Sequence, residues 1–159
     1  MPATPLIDFD ALDLDRVVAT RAQIRELIRQ RGRFEMLDGI AHVDPERPLV
    51  VAYLDVTADA WWACDHVPGR PLFPGALMIE SAAQMCSFDF LHRQPALQDK
   101  FLGFAGMDKV RFRGTVEPGC RMYFAGTPVR IRSTMFTYAT QGFVERKLVY
   151  EGEIMGMAV

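Results

Sequence analysis

The sequence predicts an α+β fold, and three observations carry that reading. The stretch 76–92 contains neither Pro nor Gly and is apolar on nearly every side, which marks a buried helix. After it come four strand-like segments, about 102–114, 120–131, 134–145 and 147–157, broken at Pro118-Gly119, Arg132-Ser133 and Glu145-Arg146. Alternation is clear in Arg121-Met122-Tyr123-Phe124-Ala125 and Lys147-Leu148-Val149-Tyr150-Glu151, as half-buried antiparallel strands require. Third, the chain has 159 residues, half of them apolar, which suits one domain over 1–159 with a sizeable core.

Residues 1–32 form an extension and a helix. The first 14 carry Pro2, Pro5 and three Asp residues, with Leu6, Ile7, Phe9 and Leu12 available to order them partly. A helix follows. Asp13 or Asp15 caps a start near Arg16, or Thr20 and Gln23 form a capping box for a start at Arg21. Ile24, Leu27 and Ile28 supply its apolar face, and Gly32 suits its end. Arg25, Arg29, Arg31 and Arg33 read as a solvated cationic face, the sharper alternative being contact with a phosphate or a carrier protein.

Residues 37–44 read as a short strand, 44–48 as a turn and 49–56 as a largely apolar strand. Residues 59–64 lead into a loop, with Trp61 and Trp62 as packing anchors or, for one of them, part of an apolar pocket. Residues 94–100 form a polar connection after the long helix.

Composition excludes several classes. Net charge is −2, with no basic footprint for nucleic acid. No apolar run approaches the ~20 residues of a membrane span, and the N-terminus lacks the pattern of a signal peptide. Cys64, Cys86 and Cys120 are odd in number, without metal spacing, and read as reduced thiols in a cytoplasmic protein.

The chemistry sits where the loop meets the long helix. In Asp65-His66-Val67-Pro68-Gly69-Arg70-Pro71-Leu72-Phe73-Pro74-Gly75, three prolines fix φ and push the preceding residues out of the helical region. His66 is therefore presented on a stiff support. Glu80, Gln84 and Ser87 follow at i, i+4 and i+7, one stripe on an otherwise apolar helix. A Glu there is costly unless paired or protonated. An imidazole, a carboxyl and free N–H groups at a helix start make an acid–base site with an oxyanion hole. His66 is the candidate base and Glu80 the candidate acid. Gly75 is the candidate oxyanion donor through its N–H, its missing side chain admitting a substrate closely.

The pattern His-x-Pro-Gly-x-Pro-x-x-Pro-Gly, with an acidic residue fourteen positions after the His, resembles the 3-hydroxyacyl-acyl-carrier-protein dehydratases of the FabZ type. Phe104-Ala105-Gly106-Met107-Asp108-Lys109-Val110-Arg111-Phe112 resembles that family's next strand, Val116-Glu117-Pro118-Gly119 the turn after it, and Arg33-Phe34-Glu35-Met36-Leu37-Asp38 its opening segment. The resemblance implies a hotdog fold, a curved antiparallel sheet wrapped around one long central helix. It implies dehydration of 3-hydroxyacyl thioesters to trans-2-enoyl thioesters in fatty-acid or related acyl synthesis, without a cofactor.

The same resemblance implies that Gln84 supports Glu80, that Val67 and Gly69 belong to the substrate-binding loop, and that His66 and Glu80 of one site come from different subunits. It further implies a cis bond at His66-Val67 in some members. Implied partners are an acyl-carrier-protein or coenzyme A thioester and a second copy of the chain, with trimers of dimers as a further assembly. Lys109, Arg111 and Arg113 would then alternate on a face that receives an acidic carrier. The sequence departs from the family at Val67, commonly Phe, and at Gly103, often an aromatic screening the tunnel. A tunnel beside the central helix, lined by Met78, Met85, Phe88 or their neighbours, is expected, with a mouth widened at Gly103. Alternatives are a hotdog thioesterase and a non-catalytic acyl-binding protein.

Overall fold

The computed structural model describes residues 3–159. A two-residue strand β1 (Ala19–Thr20) leads into helix α1 (Arg21–Leu27), then strands β2 (Gly39–Val43) and β3 (Val50–Val56), the long helix α2 (Gly75–Arg93), and strands β4 (Leu102–Phe112), β5 (Cys120–Ile131), β6 (Met135–Val144) and β7 (Lys147–Ala158). Single 3₁₀ turns lie at Gly32–Phe34 and Pro95–Leu97. The strands form one antiparallel sheet in the order β1-β2-β3-β5-β6-β7-β4.

The Thr20–Gln23 capping box starts α1, so the aspartates at 13 and 15 do not. The helix is also shorter than the sequence suggests. Ile28 is already extended, and the Arg31 guanidinium folds back to donate to the carbonyls of Arg25 (2.9 Å), Ile28 (2.8 Å) and Gln30 (2.7 Å). These are acceptors that a continuing helix would have used. Gly32 consequently opens the 3₁₀ turn, where its φ of +63° suits a residue without a side chain.

Alternation along the strands sorts two cores. Val50, Ala52, Met122, Phe124, Tyr138 and Ile154 face α2, whose Met78, Ala82, Met85, Cys86 and Phe88 complete that cluster. The intervening residues Val51, Tyr53, Ala125 and Phe143 point to the other face. The N-terminal extension covers that outer face, burying Ile7 and Leu14 and setting Phe9 edge-on to Phe143 at 5.3 Å. Gln141 ties it down, accepting from Leu6 N (2.7 Å) and donating to Thr4 O (3.0 Å). The apolar residues among the early aspartates thus form a strap.

One buried acid lies outside the predicted site. Asp89 is fully buried on α2, takes both carboxylate bonds from Arg93 Nε at 2.9 Å and accepts from Tyr138 Oη at 2.6 Å. Burial, then the Asp89 carboxylate, pushes the Tyr138 phenol well above its ordinary range. Removing Asp89 is strongly destabilising, because it leaves the buried Tyr138 hydroxyl without its acceptor and Arg93 without its partner. Asp89→Ala is expected to lower unfolding stability by ~3–5 kcal/mol. A chemical-denaturation midpoint unchanged from the parent would refute this.

Candidate active site

Local turns position His66. Its N–H donates to Trp62 O (2.9 Å), and Arg70 N to Val67 O (2.9 Å) across Pro68-Gly69. Pro at the second and Gly at the third position of that turn fit its geometry, Gly69 having φ +80°. Trp62 is buried against Phe73 at 5.2 Å, and Phe73 N donates to Val116 O (2.8 Å), anchoring the end of the loop. Trp61 instead is exposed and borders a separate cavity of ≈ 290 Å³ between β3 and the 3₁₀ turn. The peptide bonds of the described residues are all trans, so the cis bond expected at His66-Val67 is absent. His66 is exposed on the single chain, Val67 half-buried and Gly69 exposed.

The His66 ring is oriented by its Nδ1, 2.8 Å from Leu72 O. A carbonyl can only accept, so Nδ1 carries the proton and Nε2 of the neutral ring keeps its lone pair. Nε2 is therefore the nitrogen able to act as base.

Pro74 caps α2 with an extended backbone, its carbonyl receiving Leu77 N and Met78 N. Gly75 is the first helical residue, and its N–H meets no acceptor among the described residues. A Cβ at Gly75 would come within 2.8 Å of the Phe112 ring. The space left by the missing side chain is thus occupied by a half-exposed aromatic ring.

Gln84 does join Glu80. Its Nε2 donates to Glu80 Oε1 (2.7 Å) and to Phe34 O (2.6 Å), and its Oε1 accepts from Met36 N (3.0 Å). Every polar atom of this buried amide has a partner, so the network is specified. Glu80 itself is half-buried on one chain, less than an apolar helix predicts. A small groove of ≈ 40 Å³ opens beside it, bounded by Gln30, Ala83, Ser87, Gly103 and Phe104. Met78, Met85 and Phe88 do not line it. They are 2, 0 and 4 % exposed and belong to the core under the sheet.

His66 is not among the groove residues. Glu80 lies five residues into α2, ~7.5 Å along its axis from Gly75. Gly103 does border the groove, and a Cβ there would meet nothing closer than 3.7 Å. Gly103→Tyr should fold and narrow the opening, shifting activity towards short acyl chains. An unchanged profile across an acyl-length series would refute the gating role.

The basic residues are more committed than the sequence implied. Lys109 adopts φ +53° within a register shift between Asp108 and Arg111, which breaks the expected alternation. It pairs with Glu153 (2.6 Å), and Arg113 pairs with Glu151 through Nε at 3.0 Å. Arg25 is bound to Glu35, and Arg29 to Asp99 O (3.1 Å). Two acids were missed in the sequence, Glu35 and Asp89. For Asp89 the signal was its i,i+4 spacing to Arg93. For Glu35 it was a lone carboxylate between Phe34 and Met36.

The FabA-like domain matches residues 28–153. The chain belongs to the FabA-like family. FabA-like relatives include the 3-hydroxyacyl-[acyl-carrier-protein] dehydratase FabZ of Desulfotalea psychrophila, 33% identical over 133 residues that cover 83% of this chain and 88% of the relative. The FabZ of Pelotomaculum thermopropionicum is 34% identical over 133 residues, 84% of this chain and 94% of that one. Among solved structures, the dehydratase heterocomplex ApeI:P from Xenorhabdus doucetiae aligns with a TM-score of 0.72 at 12% identity, covering 86% of this chain and 90% of that one. A sigma28-regulated virulence protein from Campylobacter jejuni gives 0.62 at 13% identity, covering 87% and 88%. Like these structures, this FabA-like chain has the hotdog fold.

Proposed function

We infer that this chain is a 3-hydroxyacyl-[acyl-carrier-protein] dehydratase, a hydro-lyase acting in fatty-acid or related acyl synthesis. The observation that supports it most is the Glu80–Gln84 bond on the helix that follows the proline-fixed His66 loop. In the reaction, His66 Nε2 takes a proton from C2 of the thioester. The Gly75 N–H, at the positive end of α2, stabilises the enolate-like oxygen. Electrons from the C2–H bond form the C2=C3 double bond as the C3–O bond breaks. The leaving hydroxyl takes the Glu80 proton and departs as water. A proton passing from His66 back to Glu80, through solvent, resets the site.

The active unit in this proposal is a dimer. Strand β4 ends the sheet with an unpaired edge and leaves Phe104, Met107 and Phe112 more than half exposed. Such an edge favours pairing with a second copy. Phe104 also borders the groove at Glu80, so a partner on this edge would complete the site and bring a second His66 loop near it. Among the described residues no helix is long and apolar enough to cross a membrane. The test is incubation with crotonyl and 3-hydroxybutyryl coenzyme A. Interconversion supports a dehydratase, release of free thiol a thioesterase, and saturable binding alone an acyl-binding protein.

A further inference from the structure

The setting of Glu80 extends beyond the His66–Glu80 motif. The two backbone groups that fix the Gln84 amide, Phe34 O and Met36 N, straddle Glu35. Residues 35–38 belong to no helix or strand, so regular structure does not hold them. Burial of Met36 and Leu37 and the bond from Asp38 N to Tyr53 O (2.9 Å) anchor their far end, and the Glu35 side chain anchors the near one. Its Oε1 accepts from Arg25 Nε (2.6 Å), and its Oε2 accepts from the second Arg25 nitrogen (2.9 Å) and from Gly32 N (3.0 Å). The Glu35 side chain is only 10 % exposed, and the bond to Arg25 holds its carboxyl below the usual range. Arg25 stands on α1, its carbonyl bound by Arg31.

We propose that Arg25 and Glu35 are positioning residues for the catalytic carboxyl. Their bidentate clamp fixes residues 34–36, these fix both ends of the Gln84 amide, and the amide aims Nε2–H at Glu80 Oε1. The proposal rests on Glu80 being the acid of the dehydration. Neither clamp residue bonds Glu80; each acts through Gln84. A half-exposed ion pair adds little to stability by itself. Its value here is alignment, where a displacement of ~1 Å can reduce rate by ~10². The two-pronged guanidinium suits this task, and a point-charge ammonium does not.

The test measures crotonyl coenzyme A hydration by the full chain, comparing the parent with Arg25→Met, Arg25→Lys, Glu35→Gln, Glu80→Gln and Arg25→Met/Glu80→Gln. The three clamp variants are expected to lose about tenfold in kcat with KM within about twofold, less than a full ~1 Å misplacement would cause. Arg25→Met should add less than about twofold in the Glu80→Gln background, because residues acting as one unit are non-additive. Should Arg25→Met fail to fold, Arg25→Lys carries the same comparison, made then as Arg25→Lys/Glu80→Gln. A loss of equal size in both backgrounds, or clamp variants within about twofold of the parent, overturns the proposal. If Glu80→Gln is crippled while the clamp variants match the parent, the dehydratase reading stands and this inference alone fails. A parent without turnover ends both.

Discussion

Replacing Glu80 by Gln is expected to lower kcat by ~10² or more while KM stays near the parent value. The amide keeps the size of the carboxyl, and its oxygen still accepts the hydrogen bond that Gln84 Nε2 gives to Glu80 at 2.7 Å. What disappears is the transferable proton for the departing hydroxyl. His66→Ala removes the other half of the pair and should abolish exchange of the C2 proton with solvent as well as turnover. If the reaction is stepwise, Glu80→Gln retains part of that exchange, since enolisation and hydroxyl loss use different groups. The reactive form has a proton on Glu80 and none on His66 Nε2, so the pH–rate profile should be bell-shaped. Its limbs belong to the pair as a unit. Steady-state kinetics and deuterium incorporation at C2 check both variants. A loss of only a few-fold in each would remove the catalytic assignment and leave the acyl-binding reading.

The parts of this architecture that were legible in the sequence are those set by local chemistry. Prolines and glycines mark the turns, period-two alternation marks β5 and β7, and of the two starts the sequence offers for α1 the Thr20–Gln23 box is the one used. The i,i+4 spacing puts Glu80 and Gln84 on one stripe of α2, and the bond between them is what the family resemblance implies. Which residues beside α2 border the groove was not legible, for an equally physical reason. A helix apolar on every side carries no sign of which face meets the sheet and which borders a groove. Met78, Met85 and Phe88 went to the core, and the groove fell on the side of Ala83 and Ser87. Long-range pairings were illegible for a related reason. The Arg25–Glu35 clamp, the strap held by Gln141 and the bulge at Lys109 depend on neighbours far along the chain, and periodicity does not encode them. The strand ends were legible nonetheless, because they lie at polar breaks.

Mixing two inactive variants is expected to restore activity. In the proposed dimer each site draws His66 from one chain and Glu80 from the other. A heterodimer of His66→Ala with Glu80→Gln then holds one site with both groups intact and one with neither. With equal amounts and random reassortment, half the dimers are mixed and half the sites in each are intact, so about a quarter of parent turnover should return. Each variant alone, lacking one member of the pair in every site, stays down by ~10² or more. The contrast is therefore large and independent of substrate chain length. The chain supplies a reason to expect it. Glu80 opens into a groove bordered by Phe104 on the unpaired β4 edge, while His66 is exposed on its own loop outside that groove. Separately purified variants are unfolded together, refolded together and assayed, with each refolded alone as the control. Recovery to about a quarter supports a shared site, since two-fold symmetry makes the two sites of a mixed dimer opposite in content. Turnover no greater than that of the two variants separately, in a mixture shown by tagged pull-down to contain heterodimers, would place His66 and Glu80 of each site on one chain.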